Sequence, residues 1–537
     1  MIIKYIDGPL LKKMMLQAAN SLENNKSSVD ALNVFPVPDG DTGTNMSLTM
    51  NSAAREIMAV QGESIDGIAE AAATGSLMGA RGNSGVILSQ IFRGFSKGCK
   101  GKVELSTFDF ANALKSASDT AYKAVMKPIE GTILTIAREV GEKAIEVSKK
   151  EETFEKFFHQ LIDYAEIVLD KTPDMLKVLK QAGVVDAGGK GLIFIYKGFY
   201  ESITGKTVTI DSPAILHPNT EIHENIDFED ITFGYCTEFI IKGEGIDIEQ
   251  FKQAIEAYGD CMLVVGDGEL AKVHIHTNHP GSVMEHGLAL GELINIKIDN
   301  MRQQHQHKIF ETSQKDEELK EYGMIAVTMG EGLTDIFKDL NVDEIIVGGQ
   351  TMNPSTEEIL KSIDKVMAKN IFVFPNNSNI ILAANQAKEL SKKNVFVIPT
   401  KSVPQGIAAI LAFNGEMAPE VNADSMTKAL TRVKTGQVTY SVRDTQFNDI
   451  EIKKNDILGM YEGNIKAVGL DIEDIAFKLL EEMVSEEDEI LTIFYGEELE
   501  EAQAQALADK VRQRYGDIDI EVHYGGQPLY YYIFAIE

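Results

Sequence analysis

The chain has 537 residues, with 51 Lys and Arg against 82 Asp and Glu for a net charge of −31; the length suits roughly three domains of about 150 residues each. That balance opposes binding to nucleic acid or to anionic membrane surfaces, so a site for a phosphorylated ligand on this chain requires a cation. Three cysteines, Cys99, Cys236 and Cys261, are too few for a disulfide framework and suit a reducing compartment. No stretch with a basic start and a continuous apolar core precedes Met14, so no leader is expected, and no run reaches the ~18 to 20 apolar residues that a spanning helix needs. The sequence therefore predicts a soluble cytoplasmic protein that is not an integral membrane protein.

Over residues 1–205 apolar side chains recur at intervals of three and four, as in Leu10–Leu16, Phe108–Leu114 and Phe154–Ile162, which predicts an all-α domain. Between its first helices lies Asn33-Val-Phe-Pro-Val-Pro-Asp39-Gly-Asp41-Thr-Gly-Thr44-Asn45. Pro36 and Pro38 stiffen this loop, and the two carboxylates one glycine apart repel unless a hard dication such as Mg²⁺ sits between them. A helix is expected to follow with Thr44 or Asn45 as its cap, its free N–H groups offered to phosphate; a capped turn with solvated acids is the competing reading.

Glycine clusters mark later helix joints. The first, Gly79-Ala-Arg81-Gly82-Asn83-Ser84-Gly85, gives a backbone that can approach phosphate oxygens and a hydroxyl at Ser84. The others are Gly131-Thr132 and Asp186-Ala-Gly188-Gly189-Lys190. Lys190 does not make a P-loop, because no Ser or Thr follows it and no strand precedes the cluster. Taken singly, each cluster reads as a tight turn between helices. Their number, together with Asp39 and Asp41, makes the case for a site.

From 206 the texture becomes short β-like runs, after a Pro- and acid-rich linker at 211–230. This middle region, 206–312, carries Cys236 and the pair His274-Ile-His276. Alternate residues of a strand share a face about 7 Å apart, so the two histidines with a thiolate from a neighbouring strand would give three zinc ligands. A half-buried surface pair is the alternative, and His279, His305 and His307 are the candidates for a fourth ligand. From 320 to 537 strand and helix alternate, which predicts a parallel sheet covered by helices and then a second, smaller α/β portion. Gly348-Gly-Gln-Thr, Pro375-Asn-Asn-Ser and Pro399-Thr fall at strand ends, where open α/β sheets place ligands and partners. With no nucleophile or metal cluster evident, this third reads as a docking module.

The loop at 33–46, the Gly79–Gly85 loop, the Gly131-Thr132 turn and the Asp186–Gly189 turn, in this order, resemble the nucleotide-binding L domain of dihydroxyacetone kinases. The chain as a whole resembles the kinase subunit of the bacterial fatty acid kinase system. The resemblance implies an antiparallel helical barrel of the dihydroxyacetone kinase L type, an α+β middle domain and an α/β carboxy-terminal domain. It implies ATP held at one end of the barrel through two Mg²⁺ ions on Asp39 and Asp41, with Asn33 where those kinases carry a third aspartate. Thr44, Asn45, Gly82, Asn83, Ser84, Gly85, Gly131, Thr132, Asp186 and Gly188 would surround the nucleotide, and Cys236, His274 and His276 would bind Zn²⁺. The implied reaction is phosphorylation of a fatty acid carboxylate, for phospholipid synthesis, with a separate fatty-acid-binding protein docked on 320–537. A homodimer is one open arrangement. The rival readings are a kinase for a small hydroxylated substrate such as dihydroxyacetone, and a non-enzymatic nucleotide and zinc sensor.

Overall fold

Helices in the first 205 residues form where the three-four periodicity lies, and polar caps start several of them. A computed structural model of the chain describes residues 3–33, 40–60, 62–125, 127–205, 233, 235–243, 245–266, 270–300, 319–349, 352–447, 450–516 and 518–537. Within it, α1 (Gly8–Asp30), α2 (Thr42–Ala59), α3 (Ile65–Met78), α4 (Gly82–Cys99), α5 (Thr107–Ala124), α6 (Ile133–Ser148) and α7 (Phe154–Leu169) are followed by the short α8 (Thr172–Met175) and α9 (Lys177–Ala182), and then α10 (Ala187–Thr204). Asp7 accepts from the Leu10 N–H at 3.0 Å to start α1, and Ser106 with Asp109 forms a capping box on α5. Each satisfies N–H groups that a helix end leaves unpaired.

These helices bury one continuous apolar core. At its centre Phe110 is fully buried, with the rings of Phe95, Phe154, Phe157, Phe158 and Phe199 all edge-on to it at centroid distances of 5.1 to 6.3 Å. Close helix pairs are made possible by glycine: a Cβ at Gly94 would lie 2.5 Å from the Ser116 carbonyl, and one at Gly198 would lie 2.5 Å from Ala18 Cα.

The chain divides into two compact units, Met1–Leu216 with Leu319–Glu537, and His217–Glu318. In the second unit, β1 (Tyr235–Lys242), β2 (Gly259–Gly266), β3 (Leu270–Thr277) and β4 (Glu292–Asn300) form an antiparallel sheet in the order β2-β3-β1-β4. Phe239, Ile241, Val273 and Ile275 pack into its core with Phe251 and Val283. The strand expected at 207–210 lies outside the described residues.

The carboxy-terminal part of the first unit opens with a parallel sheet of β5 (Lys320–Thr328), β6 (Glu344–Val347), β7 (Ala368–Phe374) and β8 (Asn394–Val397), in the order β6-β5-β7-β8. Helices Glu331–Asp339, Thr356–Lys365 and Ile381–Leu390 alternate with these strands, as the apolar pattern predicts. The portion after 430, expected to be smaller, carries the larger sheet. Strands β9 (Lys434–Tyr440), β12 (Ile457–Tyr461), β13 (Asn464–Gly469), β14 (Ile490–Tyr495), β15 (Asp519–Tyr524) and β16 (Tyr532–Ile536) build a six-stranded sheet, with a small hairpin of β10 (Thr445–Phe447) and β11 (Ile450–Ile452) beside it in sequence. All its pairings but β14–β15 are antiparallel. Short strands separated by polar turns do not reveal in sequence how many of them share one sheet.

The parallel sheet's helices share a core with the helical domain. Ala80 and Val86, at the start of α4, pack with Ile359, Ile363, Ile380 and Ala383. Gln90 donates to Gln386 at 2.9 Å, and the Thr356 N–H donates to the Ala80 carbonyl at 3.1 Å.

Candidate functional site

Helix α2 begins three or four residues earlier than the sequence suggests, at Thr42, so Asp41 rather than Thr44 or Asn45 occupies the cap position; its carboxylate makes no cap bond. That task falls to Asp30, in the last turn of α1. Its Oδ1 accepts from the N–H groups of Gly43 at 2.6 Å and Thr44 at 3.1 Å, and its Oδ2 accepts from the Thr44 hydroxyl at 2.8 Å. The arrangement relieves Asp41 of the role its position would otherwise give it. Thr44 therefore serves the cap, while Asn33 accepts from the Thr42 hydroxyl through Oδ1 at 2.8 Å. Asp39 lies outside the described residues.

Asp41 instead faces a cavity of about 660 Å³, within the range of ligand sites. One wall is helical: Asn33, Asp41, Asn45, Asn83, Ser84, Asp186 and Gly188 all line it. The carboxy-terminal part supplies the other wall, with Asn377, Lys401, Ser402, Gln405, Thr435 and Glu462 among its residues. Asn376 shapes this wall. Its backbone takes the left-handed region at φ 53°, which Asn tolerates better than most residues. Its N–H then donates to the Thr400 hydroxyl at 2.9 Å, and its side-chain amide donates to the Val327 carbonyl at 2.9 Å. The ends of β5, β7 and β8 are thereby tied together beside the cavity.

Of four glycines named from sequence, Gly188 lines the cavity, whereas Gly82, Gly85 and Gly131 are not among its lining residues. Gly82 adopts φ +57°, and a Cβ there would stand 2.5 Å from the Asn45 amide, so both backbone and space demand glycine. A Cβ at Gly85 would meet the Thr49 hydroxyl at 2.4 Å; its bare Cα serves the packing of α4 on α2. Gly131, at φ +86°, donates its N–H to the Thr135 hydroxyl at 2.8 Å, and Thr132 caps α6. Gly188 does line the cavity, at the start of α10, where Asp186 caps the helix by accepting from the Gly189 N–H at 2.6 Å.

Burial pushes the Asp186 carboxyl up to about 6 from its usual 3.8, against the N–H groups of Gly189 and Ile133, which favour the anion. A raised folded-state pKa means that the native protein binds more protons than the unfolded chain between these values. Asp186 thus contributes stability that is present below pH 4 and lost as pH rises through 6. In the absence of divalent cations, Asp186→Asn, whose amide oxygen keeps the cap, is expected to gain stability over the parent as pH rises from 4 to 7. Asp186→Ala is expected to lose about 1 kcal/mol at low pH through the missing cap. Urea midpoints of the three proteins at four pH values check both signs.

In the other unit, the register sets Cys236 opposite His276 and Glu238 opposite His274. The three positions expected to bind zinc thus share one face of the sheet, opposite the Phe239, Val273 and Ile275 core. The side chains of Cys236 and His274 lie outside the described residues, as do His305 and His307, and among the described residues no group of three metal-ligating side chains forms. Sequence reasoning missed Asp30, Asn353 and the helix start at Lys401–Gln405. Asp30 had a signal, an acid in the last turn of a helix just before the loop. The other two are brought to the site only by long-range packing.

The helical domain with this cavity wall matches a kinase family, the DAK2 class, and membership of that class implies ATP use. The DAK2 domain description matches residues 36–201, the FakA-like middle domain of fatty acid kinase matches 232–308, and the FakA-like C-terminal domain of fatty acid kinase matches 323–537. The protein YloV of Bacillus subtilis (strain 168) is 46% identical over 553 residues, covering 100% of both chains. An uncharacterised protein of Staphylococcus aureus (strain USA300) is 42% identical over 548 residues, again covering 100% of both. The chain belongs to the FakA-like family of fatty acid kinases. Among solved structures, the dihydroxyacetone kinase of C. freundii aligns at 18% identity over 37% of this chain and 35% of its own, with TM-score 0.28. The Streptococcus pneumoniae fatty acid kinase B3 protein loaded with linoleic acid aligns at 12% identity over 40% of this chain and 99% of its own, also with TM-score 0.28. Among the described residues no helix is long and apolar enough to cross a membrane.

Proposed function

We propose that the protein transfers the γ-phosphoryl group of ATP to the carboxylate of a fatty acid presented by a separate fatty-acid-binding protein, giving an acyl phosphate and ADP. The observation that carries this reading is the position of Asp41: it lies on the wall of a cavity of nucleotide size, and the cap duty of its position is discharged by Asp30. The family membership supports the acceptor class. A fatty acid is already ionised at neutral pH, so its oxygen attacks the γ-phosphorus with no proton to remove, and the bond to the β–γ bridging oxygen breaks as ADP leaves. Catalysis is then positioning and charge neutralisation.

The oxygen donors on this wall suit Mg²⁺. Asp41 and Asp39 would hold the ions, which when bound supply positive charge to the phosphates. Asn83 and Ser84 stand at the start of α4, which has no side-chain cap, so its first N–H groups are available to phosphate oxygens. Lys401, from the opposite wall, adds a cation where negative charges converge. Region 320–537 would dock the lipid-bearing partner, and the sulfur and nitrogen donors at Cys236, His274 and His276 would bind Zn²⁺ in the middle domain.

The test gives the full-length protein ATP, Mg²⁺ and an oleate-loaded fatty-acid-binding protein, traps acyl phosphate with hydroxylamine, and detects the hydroxamate by mass spectrometry. Hydroxamate that forms only when ATP and the loaded partner are both present supports the reading. ATP binding without hydroxamate overturns the carboxylate assignment, and turnover with dihydroxyacetone in its place would identify the acceptor as a hydroxyl.

A further inference from the structure

We infer that Asn353, carried by the carboxy-terminal α/β part, is a cation ligand of the kinase site, where it shares an ion with Asp41. The inference rests on the reading that Asp41 holds a divalent cation. Asn353 is 1% exposed and donates from Nδ2 to Asp41 Oδ2 across 312 positions of sequence. Its Oδ1 is buried and, among the described residues, makes no hydrogen bond, although a buried acceptor left unpaired is disfavoured. The two ends of a side-chain amide have nearly the same shape and exchange places on a half-turn of χ2. After that half-turn Oδ1 stands where Nδ2 stood, beside Asp41 Oδ2. Two such oxygens repel each other unless a cation lies between them. In an octahedral Mg²⁺ shell with bonds of about 2.1 Å, neighbouring oxygens are roughly 3 Å apart, so the two side chains, in contact at 2.5 Å, draw slightly apart to admit the ion. The acceptor thereby gains a cation and Asp41 a neutral neighbour in its coordination shell, while Nδ2 gives up its bond to Asp41 and takes the place that Oδ1 held.

Asn353 is also held in place for this role. Arg81, the residue before α4, donates to the Asn353 carbonyl at 2.7 Å and pairs with Glu358 at 3.1 Å. Ser355 and Glu358 form a capping box on the next helix. Asn33 is committed to Thr42 through its own Oδ1, so Asn353 supplies an amide oxygen near Asp41 that has no other duty. Loading the cation would then tie the carboxy-terminal part to the nucleotide wall.

The test is Mn²⁺ titration of the full-length protein, with free Mn²⁺ read by electron paramagnetic resonance, for the parent, Asn353→Ala, Asn353→Asp and Asp41→Asn. Asn353→Ala is expected to weaken Mn²⁺ binding about tenfold or more. Asn353→Asp, which brings a charged oxygen, is expected to bind at least as tightly as the parent. It should also show a larger Mn²⁺-induced rise in unfolding temperature, because the ion relieves repulsion between two carboxylates, and this readout stands even if the alanine variant folds poorly. Unchanged or tighter Mn²⁺ binding in Asn353→Ala, with Asp41→Asn weakened, overturns the inference and makes Asn353 a latch that competes with the ion. If Asp41→Asn binds Mn²⁺ as the parent does, the metal assignment of Asp41 fails and the inference falls with it.

Discussion

Asp41→Ala is expected to lower phosphoryl transfer by about a thousandfold while the far-UV circular dichroism of the protein stays unchanged. The size follows from the several kcal/mol of charge stabilisation that a bound metal supplies to a transferring phosphoryl group, converted at 1.4 kcal/mol per tenfold. The preserved fold follows from the division of labour around α2. Were Asp41 the working cap, its loss would destabilise the helix by about 1 kcal/mol, and a drop in activity could come from a frayed helix. The N–H groups of Gly43 and Thr44 are instead satisfied by Asp30, so Asp41 can be removed without exposing them. The control is Asp30→Ala, which is expected to lower stability by about 1–2 kcal/mol and to reduce activity only as far as the start of α2 shifts. A kinetic comparison of the two variants with ATP and a loaded partner, alongside urea unfolding, separates the chemical role from the structural one. Equal activity in Asp41→Ala and the parent would remove the metal assignment.

Local patterns carry the fold, and long-range packing carries what they miss. The three-four spacing of Phe154, Phe157, Phe158 and Leu161 fixes a helix face, and the alternation of apolar strands with amphipathic helices after Gly323 fixes a parallel sheet, because each pattern reports a period that the backbone must honour. The His274-Ile-His276 spacing likewise places both residues on one face, and the register adds Cys236 to it. Sequence alone does not separate the packing role of several glycines from a ligand role. Gly79 and Gly85 read as a phosphate loop, yet a Cβ at either would collide with Ser52 or Thr49 of α2; close helix packing and close ligand approach require the same residue type. The carboxy-terminal part, which its sequence presents as a docking module, also lines the cavity. Asn377, Lys401 and Gln405 join the site because α4 and the helices Thr356–Lys365 and Ile381–Leu390 bury a common apolar surface. No period in the sequence encodes which of several apolar faces will meet.

Phe110→Ala is expected to have the opposite profile to Asp41→Ala, a large loss of stability with activity per folded molecule retained. Phe110 is fully buried, and five aromatic rings surround it edge-on. Truncation removes a large apolar surface, leaves a cavity that five stiff rings cannot collapse into, and forfeits the edge-to-face attractions. Together these cost about 3–5 kcal/mol. Phe110→Leu keeps much of the volume and is expected to cost about 1.5 kcal/mol. The rings come from α4, α5, α7 and α10, so the core they form holds the helices whose starts reach the cavity: α4 carries Asn83 and Ser84, and α10 follows Asp186. Phe110 itself is not on the cavity wall. If the helical domain unfolds as one cooperative body, the variant should lose ATP binding and helicity at the same denaturant concentration, with an unaltered ATP affinity below it. Loss of ATP binding at a lower concentration than loss of helicity would instead show that this core tunes the helix starts individually.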